Sequence, residues 1–264
     1  MLSSLLRIAG GCFAAYLVLL LVMFLFQEKL IFFPTKLSPS HKFSFQQDFT
    51  ELFVSVDGAK LNVLAFEKPE AQGVILYFHG NAGDLDSWGN VSEQYKDYPY
   101  HLLVVDYRGF GKSTGKISSE AQLQADAKAV YEFAVAKYQL KNIVIHGTSI
   151  GTGVASWLAA HHSTKILILE TPYVSLTQMV AEIYPFVPSF LLKYKLENDR
   201  WLAQCKAPIN LIHGTRDRVV PYTHSEILQK KVPGARLHTI KNGGHNDLSM
   251  YPQYTIALKE IFGL

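Results

Sequence analysis

Three residues of the types that together perform acyl transfer stand far apart along this chain. Ser149 is the centre of Gly147-Thr148-Ser149-Ile150-Gly151, Asp217 ends Ile212-His213-Gly214-Thr215-Arg216-Asp217, and His245 closes Asn242-Gly243-Gly244-His245. A serine hydroxyl is a poor nucleophile until a base takes its proton, and the base needs a third group to orient it. The order serine, acid, histidine is the one a serine hydrolase built on alternating strands and helices displays. The G-x-S-x-G spacing has a mechanical reason. A serine on a sharp strand-to-helix turn crowds its neighbours, so positions two before and two after must lack side chains. The pentapeptide alone is a weak signal; its setting between an apolar run and an alanine-rich helix makes it specific.

Of the ten histidines, only His245 lies in a glycine-rich loop beyond the acid. His79, His146 and His213 abut glycines at strand ends and read as turn stabilisers, His238 falls in a strand, and His161 and His162 end a helix. For the acid, the rival to Asp217 is Glu170, at the end of the strand after the elbow; Asp247 reads as a helix cap. The oxyanion of acyl transfer needs two preorganised donors. The N–H of Ile150, directly after the nucleophile, is one. The second is expected from the His79-Gly80-Asn81 turn, at the N–H of Asn81, with Ala82 its nearest rival. Arg108-Gly109-Phe110-Gly111 lacks the Gly-Lys-Ser/Thr of a phosphate cradle and reads as structural. No metal-binding spacing of histidines or cysteines occurs, and the chemistry calls for no cofactor and no metal.

These loops need strands to carry them. Apolar or alternating runs predict strands at 49–56, 60–66, 74–78, 102–105, 142–146, 165–169, 209–212 and 236–240, the first two joined by the hairpin signal Asp57-Gly58. Helical patterns occupy 119–138, 152–160, 223–231 and 252–262, the first opened by Ser118-Ser119-Glu120 as a cap. Such alternation predicts an α/β fold, a mostly parallel sheet with helices on both faces. Residues 171–207 interrupt it with an apolar, aromatic-rich insertion that reads as a cap, suited to an acyl chain or to packing on the domain.

Residues 8–26 are 19 consecutive residues without a charge. As a helix they span about 28 Å, roughly the hydrocarbon thickness of a bilayer. No small-residue cleavage site follows, so an uncleaved anchor is expected, with 1–34 as anchor and interfacial segment and 35–264 as the catalytic domain. The positive-inside rule does not decide which side of the membrane that domain occupies. Since no site residue precedes Pro34, a chain beginning there is expected to keep its triad. A net charge of +3 with dispersed lysines offers no nucleic-acid footprint, and two cysteines, Cys12 and Cys205, exclude a disulfide framework.

With Glu28-Lys29-Leu30-Ile31-Phe32-Phe33-Pro34, His79-Gly80-Asn81-Ala82-Gly83, Asp106-Tyr107-Arg108-Gly109-Phe110-Gly111, the elbow, His213-Gly214-Thr215-Arg216-Asp217 and Gly243-Gly244-His245 in view, the chain resembles the α/β-hydrolase superfamily. Within it the nearest likeness is to the membrane-anchored alpha/beta-hydrolase-domain serine hydrolases and their bacterial relatives. That resemblance implies a Ser149-His245-Asp217 triad. It leaves the substrate open, because relatives include lipid lipases, protein depalmitoylases and proteins of unknown substrate. The expectation is a membrane-anchored hydrolase of esters or thioesters whose partners are the bilayer and an acylated small molecule, lipid or lipidated protein. A serine peptidase is the alternative on the same fold; a non-catalytic scaffold is the alternative outside enzymology.

Overall fold

The computed structural model of the chain describes residues 2–139 and 141–264. Its centre is an eight-stranded sheet: β1 (Thr50–Val56), β2 (Ala59–Phe66), β3 (Gly73–Phe78), β4 (Tyr100–Val105), β5 (Ile143–Thr148), β6 (Ile166–Glu170), β7 (Ile209–Gly214) and β8 (Arg236–Ile240). The spatial order is β1-β2-β4-β3-β5-β6-β7-β8. The pairs β1–β2 and β2–β4 are antiparallel; every other pair is parallel. The hairpin turns at Gly58, whose φ of 68° a glycine adopts without strain.

Alternate residues of each central strand enter separate cores. Val74, Leu76 and Phe78 face one side of β3 and Ile75 and Tyr77 the other, all of them buried. This two-sided burial is why these strands read as continuous apolar runs. On the first face lie α3 (Glu120–Tyr138), α4 (Gly151–His161) and α6 (Thr223–Lys231); on the second lies α7 (Pro252–Phe262). Capping follows sequence. The hydroxyl of Ser119 accepts the N–H of Gln122 at the start of α3, and Pro252 opens α7 where its missing N–H costs nothing.

Before the sheet stand α1 (Leu2–Leu25), whose most apolar 18 residues have a mean hydropathy of 2.5, and the short α2 (Gln27–Ile31). Among the described residues α1 is the one helix long and apolar enough to cross a membrane. The stretch after α2 does not hang free. Phe33–Pro34 pairs in parallel with Ala82–Gly83, and Lys36 bridges Gly111. Phe32 is buried with its ring edge-on to Tyr194, a contact that contributes about 2 kcal/mol through burial.

The insertion folds as α5 (Leu176–Ile183), a single 3₁₀ turn at Ser189–Leu191 and a short helix at Asn198–Leu202. It is bolted to α4 through buried Asn198, which accepts from Ser156 and donates to Thr152 Oγ1 and to the carbonyl of Tyr173. Its apolar side turns toward α1, where an open cavity of about 400 Å³ is lined by residues such as Leu20, Met23 and Phe24 from α1 and Val180, Val187 and Leu191 from the insertion.

Candidate active site

β5 ends in the elbow. Ser149 has a φ of 53°, a left-handed conformation that costs a non-glycine residue energy, and α4 begins two residues later. Its N–H is held by the carbonyl of Glu170 at 2.9 Å, and its own carbonyl accepts both the N–H and the hydroxyl of Thr152. The flanking glycines are required by contact. A Cβ on Gly147 would lie 2.4 Å from the carbonyl oxygen of Gly151, and one on Gly151 would lie 2.1 Å from that of Phe78. Neither neighbour is a side chain that can move aside.

His245 reaches this serine from the loop after β8, with Nε2 3.0 Å from Ser149 Oγ and Nδ1 2.7 Å from Asp217 Oδ2. A carboxylate only accepts, so Nδ1 carries the proton and Nε2 is free to receive the serine's. Two loops must press together to achieve this. A Cβ on Gly214 would meet the carbonyl of Gly243 at 2.3 Å, and the N–H of Arg216 donates to that same carbonyl. Asp247, expected as a helix cap, instead accepts the N–H of Gly244 at 2.6 Å and makes no cap bond to the turn it precedes. Its work is to brace the histidine loop.

Asp217 is more heavily supported than its sequence suggests. Oδ1 accepts the N–H groups of Val219 and Val220, and Oδ2 accepts from His213 Nε2 at 3.2 Å as well as from His245. Burial by itself would raise this carboxyl's pKa, but the bonds from His213 and His245 and the Val220 N–H outweigh it. The group is held well below the usual carboxylate range. His213 also bonds the carbonyl of Val220 and, through Nδ1, the hydroxyl of Ser225. Read from sequence as a turn stabiliser, it is a second histidine on the acid. Its proximity to Asp217 in sequence was the available signal, and its partner was not. Glu170, the rival acid, makes no hydrogen bond to His245; it accepts from Tyr254 at 2.9 Å, with His146 Nε2 3.4 Å away.

On the other side of Ser149 lies the His79-Gly80-Asn81 turn that leaves β3. A Cβ on Gly80 would sit 3.8 Å from the Cβ of Ser149. Among the described residues the N–H groups of Ile150 and Asn81 donate to no protein acceptor. The Asn81 N–H is aimed by its own peptide plane, in which C=O and N–H point in opposite directions. His79 Nδ1 donates to the carbonyl of Gly80 at 2.7 Å, drawing that oxygen inward. The other ring nitrogen of this fully buried histidine is 3.1 Å from Asp106 Oδ1. Burial raises the Asp106 pKa despite its hydrogen bond from His79. Tyr107 adds a bond from its hydroxyl to the carbonyl of His79.

A cavity of about 330 Å³ adjoins His245, walled by Trp88, Tyr77 and Thr148 and reaching the carboxylate of Glu170. The arrangement as a whole provides a hydroxyl beside an unprotonated ring nitrogen, a carboxylate behind that ring, and two idle N–H donors.

Comparison with known proteins follows the same lines. A family model described as serine aminopeptidase, S33 matches residues 69–199. The human alpha/beta hydrolase domain-containing protein 17B is 31% identical over 200 residues, covering 73% of this chain and 67% of its own. Protein bem46 of Schizosaccharomyces pombe is 30% identical over 205 residues, covering 73% and 68%. Among solved structures, an esterase of Pyrococcus furiosus superposes with a TM-score of 0.71 at 18% identity, over 88% of this chain and 97% of that one. Est1E from Butyrivibrio proteoclasticus, solved with ferulic acid bound, gives 0.66 at 23% identity, over 80% and 97%. At these identities the structures speak for the fold alone.

Proposed function

The chain belongs to the α/β-hydrolase superfamily, and from that premise we propose that it is a membrane-anchored serine hydrolase of ester or thioester bonds in acylated or lipid-like substrates. One observation carries the proposal: the unbroken line from Ser149 Oγ through His245 to Asp217, at 3.0 and 2.7 Å. In the reaction His245 Nε2 takes the hydroxyl proton as Ser149 attacks the acyl carbon. The Asp217 carboxylate stabilises the imidazolium so formed without taking its proton. The negative oxygen of the tetrahedral intermediate is met by the N–H groups of Ile150 and Asn81. His245 then protonates the departing alcohol or thiol, and water, activated by the same ring, releases the acid from Ser149. The leaving group must lie on the histidine side, where the cavity reaching Glu170 offers room.

The bilayer enters the proposal through α1 and through the apolar insertion beside it. Anchoring there would hold the site at the lipid surface, where acylated substrates concentrate. Peptide hydrolysis is the second reading, favoured by the aminopeptidase description of the matching family. The test is labelling of the full chain by a fluorophosphonate, followed by turnover of matched acyl esters, thioesters and aminoacyl amides. Labelling that persists in Ser149→Ala removes the mechanism, and turnover confined to aminoacyl amides replaces the first reading with the second.

A further inference from the structure

The Asn81 N–H is useful to an oxyanion only if it stays where the negative charge develops. Every group on the Asn81 Cα is held, and the holders come from two places. The peptide before it is fixed from inside the domain by His79. The peptide after it is fixed from outside: the N–H of Phe33 donates to the carbonyl of Asn81 at 2.7 Å. Its side chain is fixed from outside as well, with Nδ2 donating to the carbonyl of Ile31 at 2.9 Å. Two residues on, Thr35 N–H bonds the carbonyl of Gly83, and the N–H of Gly111 bonds that of Thr35. Residues 31–37 therefore form a strap laid across the turn and tied down on its far side.

The other end of the strap is equally engaged. Gln27, buried where the chain leaves α1, donates from Nε2 to the carbonyl of Leu191 and accepts the N–H of Lys193. Glu28 accepts from Lys193 Nζ and from the Tyr194 hydroxyl. One stretch of nine residues, 27–35, thus joins the apolar helix, the insertion and the oxyanion turn.

We propose that this juxtamembrane strap positions the oxyanion donor, with the Asn81 side chain and the Phe33 N–H as the positioning groups. The inference rests on the triad reading above. It gives the exit from the anchor a part in the chemical step, beyond holding the enzyme near lipid. Loosening the strap leaves the Asn81 N–H present but free to wander, so transition-state binding suffers while ground-state binding does not.

The experiment uses the full chain in detergent with a short water-soluble ester. In Asn81→Ala the backbone donor remains and the Ile31 tether is lost. In a second variant the Phe33 amide is replaced by an ester, which deletes one N–H and no side chain. Both are expected to lower kcat by about tenfold to a hundredfold with KM within about twofold of wild type. Affinity for a trifluoromethyl ketone, which mimics the tetrahedral oxyanion, should fall by the same factor as kcat/KM. An amide-to-ester replacement at Ala235, whose N–H bonds the carbonyl of Val232 away from both strap and turn, serves as the backbone control and should leave kcat unchanged. Unchanged kcat and ketone affinity in both test variants would overturn the proposal, as would a change confined to KM or melting temperature. Ser149→Ala run alongside separates the two levels: if it too is fully active, the triad reading fails rather than the strap.

Discussion

Ser149, Asp217 and His245 hang from the ends of β5, β7 and β8, and the bonds that align them come from that sheet, its edge loops and α4. Asn81 hangs from the end of β3, yet the bonds on its side chain and carbonyl come from residues 31 and 33, ahead of the whole sheet. The proton-moving half is thus supported from within the buried domain itself. The oxyanion half borrows its support from the segment that follows the apolar helix. Local stability varies across a protein with such differences in support. The first half should resist perturbation at a distance, and the second should respond to whatever displaces the strap.

The largest effect should come from the proton-moving half itself. Ser149→Ala is expected to reduce kcat by about 10⁴-fold or more with the fold intact, as steady-state rates and melting temperature will report. Asp217→Asn should cost about 10⁴-fold, because an amide in that place favours the wrong tautomer of His245. Glu170→Gln measured beside it sharpens the assignment: near-normal activity is expected on a neutral ester, and the reverse pattern would move the acid to Glu170.

A smaller effect is expected at His213. His213→Leu removes one donor from the Asp217 carboxylate, and kcat should fall about tenfold, in the range seen when outer partners of a functional group are lost. His213→Gln, which restores a donor, should recover part of it. The pH dependence follows from the depressed pKa of Asp217. A carboxyl with a lower pKa folded than unfolded contributes stability above its unfolded value of about 3.9, lost as pH falls toward the folded one. Unfolding curves from pH 6 down to pH 2 should therefore show a shallower acid loss in His213→Leu than in wild type. Parallel curves would mean that His213 does not act on the acid.

The smallest effect on catalysis should come from α1. Residues of α1 make no bond to the triad, so substitutions that keep α1 apolar should leave soluble-ester turnover within about twofold. The full chain should stay in the membrane pellet through alkaline carbonate and dissolve in detergent. Release by carbonate would remove the anchor from the proposed function while leaving both halves of the site as they are.

Much of this molecule was legible along the chain because it depends on neighbours in sequence. Period-two and continuous apolar runs, the Asp57-Gly58 turn, the Ser119 cap and the glycines at 147 and 151 each answer to backbone geometry within a few residues. The elements they marked lie within a residue or two of those expected, and α6, α7 and β8 coincide with them. Residue type and loop position also singled out Ser149, Asp217 and His245, which the fold brings into one line. What required the tertiary structure was the identity of partners far away in sequence. His213 read as a turn residue until Asp217 came to lie against its Nε2, and Asp247 read as a cap until it turned back to Gly244. The contacts that residues 31 and 33 make with the Asn81 turn were hidden in the sequence for the same reason. Ile31 and Phe33 meet Asn81 through a backbone carbonyl and a backbone N–H, groups that every residue but proline carries in full and that no sequence pattern distinguishes.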